Sequence, residues 1–177
     1  MRTSRWVAAG MLAASMTLVS PGAAPLGVAP LAAQEAAPGV GAKAPVVTVN
    51  DLEGEPVDLG AFIGRKPVLI EFWASWCGSC HQLLPAIRAA HGRYGDRVEF
   101  LGINITVNDP PERVRRYLAE HAPPFRVLYD DQGASVRAFD VPATSYVVII
   151  DRTGTIVYTG SGGSQRLEPA LRRVVEH

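Results

Sequence analysis

The sequence is short of several residue types that would place a protein quickly. Only two of its 177 residues are cysteine. Two cannot staple a small disulfide-dense scaffold, and they are too few for a four-thiolate zinc or iron–sulfur site. Charge of either sign is not in surplus, because 17 basic and 17 acidic residues cancel. A nucleic-acid binder needs a basic excess to neutralise phosphates, so that class is excluded. The apolar stretch at residues 6–19 holds 14 residues, short of the about 20 that span a bilayer as a helix. What is present is a 47% hydrophobic, 19% charged chain. It is too apolar for a disordered polypeptide and long enough to bury one domain's core.

Arg2 and Arg5 flank the start of the chain ahead of the apolar stretch, and residues 20–33 are dominated by Ala, Pro and Gly. A charged start, a short apolar core and small residues form a secretory signal peptide. Residues 1–33 are therefore read as the signal, with cleavage after Ala33 or Ala24. An uncleaved N-terminal membrane anchor is the alternative. Residues 1–33 hold two basic and no acidic residues, so residues 34–177 carry 15 basic against 17 acidic, net −2. Such a domain works in the periplasm or elsewhere outside the cytoplasm, where disulfides persist.

Residues 34–45 read as a flexible lead and 46–177 as the folded domain. Two short strands at 46–49 and 56–59 flank Asp51-Leu52-Glu53-Gly54, a hairpin signal. Val68-Leu69-Ile70-Glu71-Phe72-Trp73 is a near-continuous apolar run, the pattern of a strand buried on both faces. A helix covers 80–94, with Pro85 inside it. Residues 98–105 form a second buried strand. A helix begins after Asp109, its expected N-cap, with proline in the first turn. A third strand covers 125–129 and a helical turn 134–139. Strands at 145–150 and 155–158 flank Asp151-Arg152-Thr153-Gly154, a second hairpin. A last helix covers 166–175. The pattern predicts an α/β fold, a mixed sheet with helices on both faces.

The two cysteines lie in Trp76-Cys77-Gly78-Ser79-Cys80, between a buried strand and a helix. A helix start offers unpaired N–H groups and the positive end of the helix dipole. Both favour a thiolate, so Cys77 is the expected nucleophile and Cys80 the resolving thiol. The residues also admit half a zinc site or a structural bridge. Zinc needs four ligands, and His81, His91, His121 and His177 lack ligand-like spacing. A four-residue loop closes too little chain to stabilise much. Glu71 stands alone in an apolar strand, so it needs a polar partner or a raised pKa.

Glu71 to Cys80, with Pro85 five residues on, resembles the active-site segment of the thioredoxin superfamily. The likeness extends from about Ala42 to the C-terminus. Within the superfamily it is similar to the extracytoplasmic TlpA/ResA-type thiol-disulfide oxidoreductases, through the signal peptide, the N-terminal hairpin, residues 109–129 and residues 141–154. The resemblance implies a thioredoxin-like fold and a catalytic set of Cys77, Cys80 and Glu71, the last taking the proton of Cys80. It implies a cis bond before Pro142, with Val141 pairing to an extended substrate, and Trp76 as an apolar contact for partners. It implies no cofactor and no metal. It implies disulfide-containing substrate proteins such as apocytochrome c, and a membrane thiol reductase as electron donor.

Three positions depart from that family. Ser79 stands where many members have proline, and Leu83 where the ResA-type branch often has glutamate. His81 comes directly after Cys80; it tunes the thiols if charged, or else lies on an exposed helix face. Two other functions stay open. A thiol peroxidase is disfavoured by Ala74 and Ile70, where that class carries a hydroxyl residue and proline. A copper-binding chaperone is disfavoured by the tight Cys77–Cys80 spacing but kept in play by His81 and His121.

Overall fold

The computed structural model describes residues 38–176, so the proposed signal peptide lies outside the described residues. In chain order the elements are β1 (Thr48–Asn50), β2 (Pro56–Asp58), a 3-10 turn (Leu59–Ala61), β3 (Val68–Trp73) and α1 (Gly78–Tyr94). Then come β4 (Glu99–Asn104), α2 (Pro111–His121), β5 (Arg126–Tyr129) and α3 (Ala134–Ala138). β6 (Tyr146–Ile150), β7 (Ile156–Ser161) and α4 (Glu168–Glu176) complete the fold. Among the described residues no helix is long and apolar enough to cross a membrane.

Seven strands form one mixed sheet in the order β2-β1-β5-β4-β3-β6-β7. β3, β4 and β5 run parallel, with α1 and α2 as the crossovers between them. β6 pairs antiparallel to β3, and β7 to β6. The N-terminal hairpin joins the far edge where Asn50 faces Tyr129. The expected thioredoxin-like α/β architecture is therefore the observed one.

Every residue of β3 is buried, which explains its lack of polar alternation. Val68, Ile70 and Phe72 enter one core with Leu59, Leu128 and Phe139. On the opposite face Leu69 packs with Leu83, Ile87, Leu171 and Val174 of α1 and α4. Trp73 ends that face in a smaller cluster with Cys77, Cys80 and Val114. Each such large apolar side chain contributes about 1.5–3 kcal/mol on burial, so β3 is anchored from both sides up to its last residue.

Both hairpins are closed by an aspartate. Asp51 Oδ1 accepts from the N–H groups of Glu53 and Glu55. Asp151 Oδ1 accepts from the N–H groups of Thr153 and Thr155 and from the Thr153 hydroxyl. Burial acts to raise the Asp151 pKa, but these hydrogen bonds and Lys43 outweigh it and hold the carboxyl below its ordinary value. Part of the expected flexible lead is bound to the second hairpin. The Gly41 N–H donates to Ile156 O, Ala44 N–H to Gly154 O, and Ala42 O accepts from Ile156. Backbone pairing of this kind leaves no signal in side-chain composition.

Gly102 of β4 lies beside Glu71 in register. A Cβ at Gly102 would overlap the Phe125 ring, which fills that space. Gly102→Ala should destabilise the protein by about 2 kcal/mol through overpacking, measured by denaturant unfolding. A loss under about 0.5 kcal/mol would show that the ring moves freely.

Candidate active site

The sheet delivers its most buried strand to an abrupt stop. After Trp73, the chain turns through Ala74, Ser75 and Trp76 and enters α1 at Gly78. Cys77 is the N-cap of α1, with extended backbone, and its side chain accepts the N–H of Cys80 at 3.1 Å. Cys77 and Cys80 form a disulfide, with Cα atoms 5.3 Å apart. The Ser79 hydroxyl lies 3.4 Å from the Cys77 sulfur. A sulfur in the N-cap position meets the helix's unpaired donors, which favours its anionic form on reduction.

Asp109, the expected N-cap of α2, has a different task. The structural N-cap of α2 is Pro110, with no side-chain cap. The buried Asp109 carboxylate instead accepts from the Ser75 N–H at 2.7 Å, the Ser75 hydroxyl and Asn104 Nδ2 at 2.7 Å. The Tyr129 hydroxyl donates to the Asp109 carbonyl at 3.1 Å. This knot ties the loop before Cys77 to the ends of β4 and β5. The sequence signal for it was an Asp with competing local and long-range uses, and only packing chooses between them.

Trp76 is 46% exposed, and its indole N–H donates to Val107 O at 2.7 Å. His81 is exposed, stacks on Tyr117 at 5.1 Å and sets Nε2 3.0 Å from Ser75 O. His121 stacks on the same tyrosine at 4.1 Å, and its Nδ1 lies 3.0 Å from Tyr117 O. Both imidazoles thus have a nitrogen committed to a backbone carbonyl. Leu83 is fully buried.

Glu71 shares the α1-facing side of β3 with Leu69 and Trp73, as strand alternation requires. It is 2% exposed, and its Oε1 has no hydrogen-bond partner. Burial pushes its pKa up to about 8. The Phe125 ring lies over Gly102, the residue that pairs with Glu71 in the sheet.

The cis bond that the resemblance implies before Pro142 is not observed. Among the described residues no peptide bond is cis. Pro142 is exposed in the connection from α3 to β6. The Val141 N–H is spent on Val136 O at the end of α3, and its side chain packs against the core.

The residue that ends this connection beside β3 is Ser145. Extending the β3–β6 register by one pair sets it opposite Trp73. It is buried with φ 58°. Its hydroxyl donates to Gly162 O at 3.2 Å, and its carbonyl accepts from Gly162 N–H and Gln165 Nε2. Next to Gly162, Gly163 packs against α1, where a Cβ would come within 3.0 Å of Ser79 O. The β7–α4 loop therefore braces both Ser145 and the first turn of the cysteine helix. A polar residue just ahead of Tyr-Val-Val-Ile-Ile was the available sequence signal.

Glu71 makes stability depend on pH in a defined window. Between about pH 4.5 and about 8 the folded protein keeps the proton that the unfolded chain releases. Stability of the oxidised protein should fall as pH rises through that window, by up to about 1.4 kcal/mol per pH unit from this residue. Glu71→Gln should flatten the profile in urea titrations. Equal slopes in both proteins would show that Glu71 is not held neutral by burial.

Comparison with known proteins agrees with this geometry. The Redoxin family model matches residues 39–175. The chain is 29% identical over 134 residues to the thioredoxin-like protein YneN of Bacillus subtilis, covering 74% of this chain and 78% of that one. It is 26% identical over 140 residues to the thiol-disulfide oxidoreductase ResA of Bacillus cereus, covering 76% and 78%. A crystal structure of a candidate thiol:disulfide interchange protein DsbE from Chlorobium tepidum superposes with a TM-score of 0.66 at 26% identity, over 78% of this chain and 96% of that one. With its cysteine pair at the head of α1, the chain belongs to the Redoxin family, and it is a thioredoxin-fold thiol-disulfide oxidoreductase of the ResA type.

Proposed function

We propose that Cys77 and Cys80 are the reactive dithiol and that the protein reduces disulfides in partner proteins outside the cytoplasm. The observation that carries this reading is the Cys77 sulfur at the N-cap of α1, accepting the Cys80 N–H. In the reduced protein the Cys77 thiolate attacks a substrate disulfide, releasing one substrate thiolate and leaving a mixed disulfide. Cys80 then loses its proton and attacks the Cys77 sulfur. The second substrate thiol leaves, and the Cys77–Cys80 bond closes. Two electrons pass to the substrate and the enzyme dithiol is oxidised.

Resolution requires a base for Cys80, and Glu71 supplies it. The ionised fraction of Glu71, which grows as pH rises toward about 8, accepts the proton and returns to the neutral acid that burial favours. Trp76 offers the approaching substrate an apolar surface. Ala74, buried and without a hydroxyl, gives no support to peroxide chemistry. The N-terminal charged and apolar segment supports action in the periplasm. In that setting the resemblance to ResA-type proteins favours apocytochrome c as substrate and a membrane thiol reductase as electron donor.

Three measurements test this. Cys80→Ala should accumulate mixed disulfides on Cys77, identified by mass spectrometry; partner trapping only through Cys80 in the reciprocal variant would reverse the roles. Glu71→Gln should slow oxidation of the dithiol by roughly a hundredfold or more, the range of one proton transfer, and the rate profile should lose its inflection; unchanged rates from pH 6 to 9 would remove Glu71 from the mechanism. Redox-buffer equilibration should give a potential near about −270 mV, and a value near about −120 mV would make the protein an oxidant.

A further inference from the structure

Trp76 and one face of α2 enclose a groove of about 210 Å³ beside the cysteine loop. Ser75 and Trp76 line it from the residues just before Cys77. Arg113, Arg116, Tyr117 and Glu120 line it from α2. Their spacing is i, i+3, i+4 and i+7, a single stripe of a helix. Val114, by contrast, faces the core. The stripe sets two guanidinium groups against one carboxylate. Arg113 donates one N–H to Asn108 O, and among the described residues neither Arg113 nor Arg116 is in an ion pair. The opposite wall is fixed, because the Trp76 indole is held by Val107 O.

We propose that this groove receives the segment flanking the reactive cysteine of a polypeptide substrate and selects an acidic side chain there. The inference rests on the dithiol reading above. Size points to a polypeptide: clefts that bury a whole small molecule measure about 300–1,000 Å³, and this one holds one or two side chains of a longer chain. Position points to the flank, because the groove begins at the residue next to Cys77, where the substrate disulfide must arrive. Charge gives the sign. A carboxylate entering the groove meets two unpaired cations, while a lysine meets repulsion before it reaches Glu120. The apolar surfaces of Trp76 and Tyr117 accept the stem of an Asp or Glu side chain.

The test uses the reduced full chain and three disulfide-bonded peptides differing only in the residues flanking cysteine: Glu, Gln or Lys. Release of peptide thiol is measured by chromatography. The Glu peptide should react roughly tenfold faster than the Lys peptide at low salt, as expected for steering by two exposed cations. The gap should close in 1 M NaCl, where screening acts within about 3 Å. Arg116→Glu should reverse the order of the two charged peptides, and Arg116→Lys should keep it. Equal rates for Glu and Lys peptides while the Gln peptide is reduced would overturn the groove proposal alone. An unchanged order in Arg116→Glu would do the same. Failure to reduce even the Gln peptide would overturn the oxidoreductase reading together with it.

Discussion

The Cys80 N–H meets the Cys77 sulfur across 3.1 Å, and the surrounding structure serves to keep that bond in place. A sulfur can cap a helix only if the chain reaches the helix from a fixed direction. β3 provides the direction, because burial on both faces leaves its end no freedom. The Asp109 carboxylate provides the distance, holding Ser75 by its N–H and hydroxyl. Gly163 provides the backing, since only a residue without a side chain fits against the first turn of α1.

The same architecture pushes two ionisations in opposite directions. A helix N-terminus draws Cys77 toward its thiolate. Burial without a partner drives Glu71 toward its neutral acid, to about 8. Separated pKa values within one site assign acid and base roles. In the proposed mechanism these two tendencies make Cys77 the attacking sulfur and Glu71 the group that takes up a proton. Both effects come from where β3 ends and α1 begins.

Much of this was legible in the chain. The unbroken apolar run of β3 announced a doubly buried strand, and the single charge in it announced Glu71. The strand–cysteine loop–helix order located the disulfide, and the two Asp-x-x-Gly turns marked both hairpins. These features are local: each depends on periodicity, turn chemistry or a residue out of keeping with its neighbours. What was misread depended on competition between partners. Asp109 had the right place for a helix cap but found better donors in Ser75 and Asn104. The bond before Pro142 is trans, and the Val141 N–H closes on Val136 of α3. Residues 41–44 looked free because their ties to the second hairpin run through backbone alone.

The sequence by itself determined the fold class, the cysteine pair, its placement at a helix start and the isolated carboxyl, since each is set by order along the chain. Tertiary structure alone decided the rest. It made Ser145 rather than Pro142 the neighbour of Trp73, because strand register depends on pairing across the sheet. It joined Asp109 to the cysteine loop across 34 residues. It set an α2 stripe bearing two arginines against Trp76. Contacts of that separation form only when the whole sheet is assembled, and no local pattern encodes them.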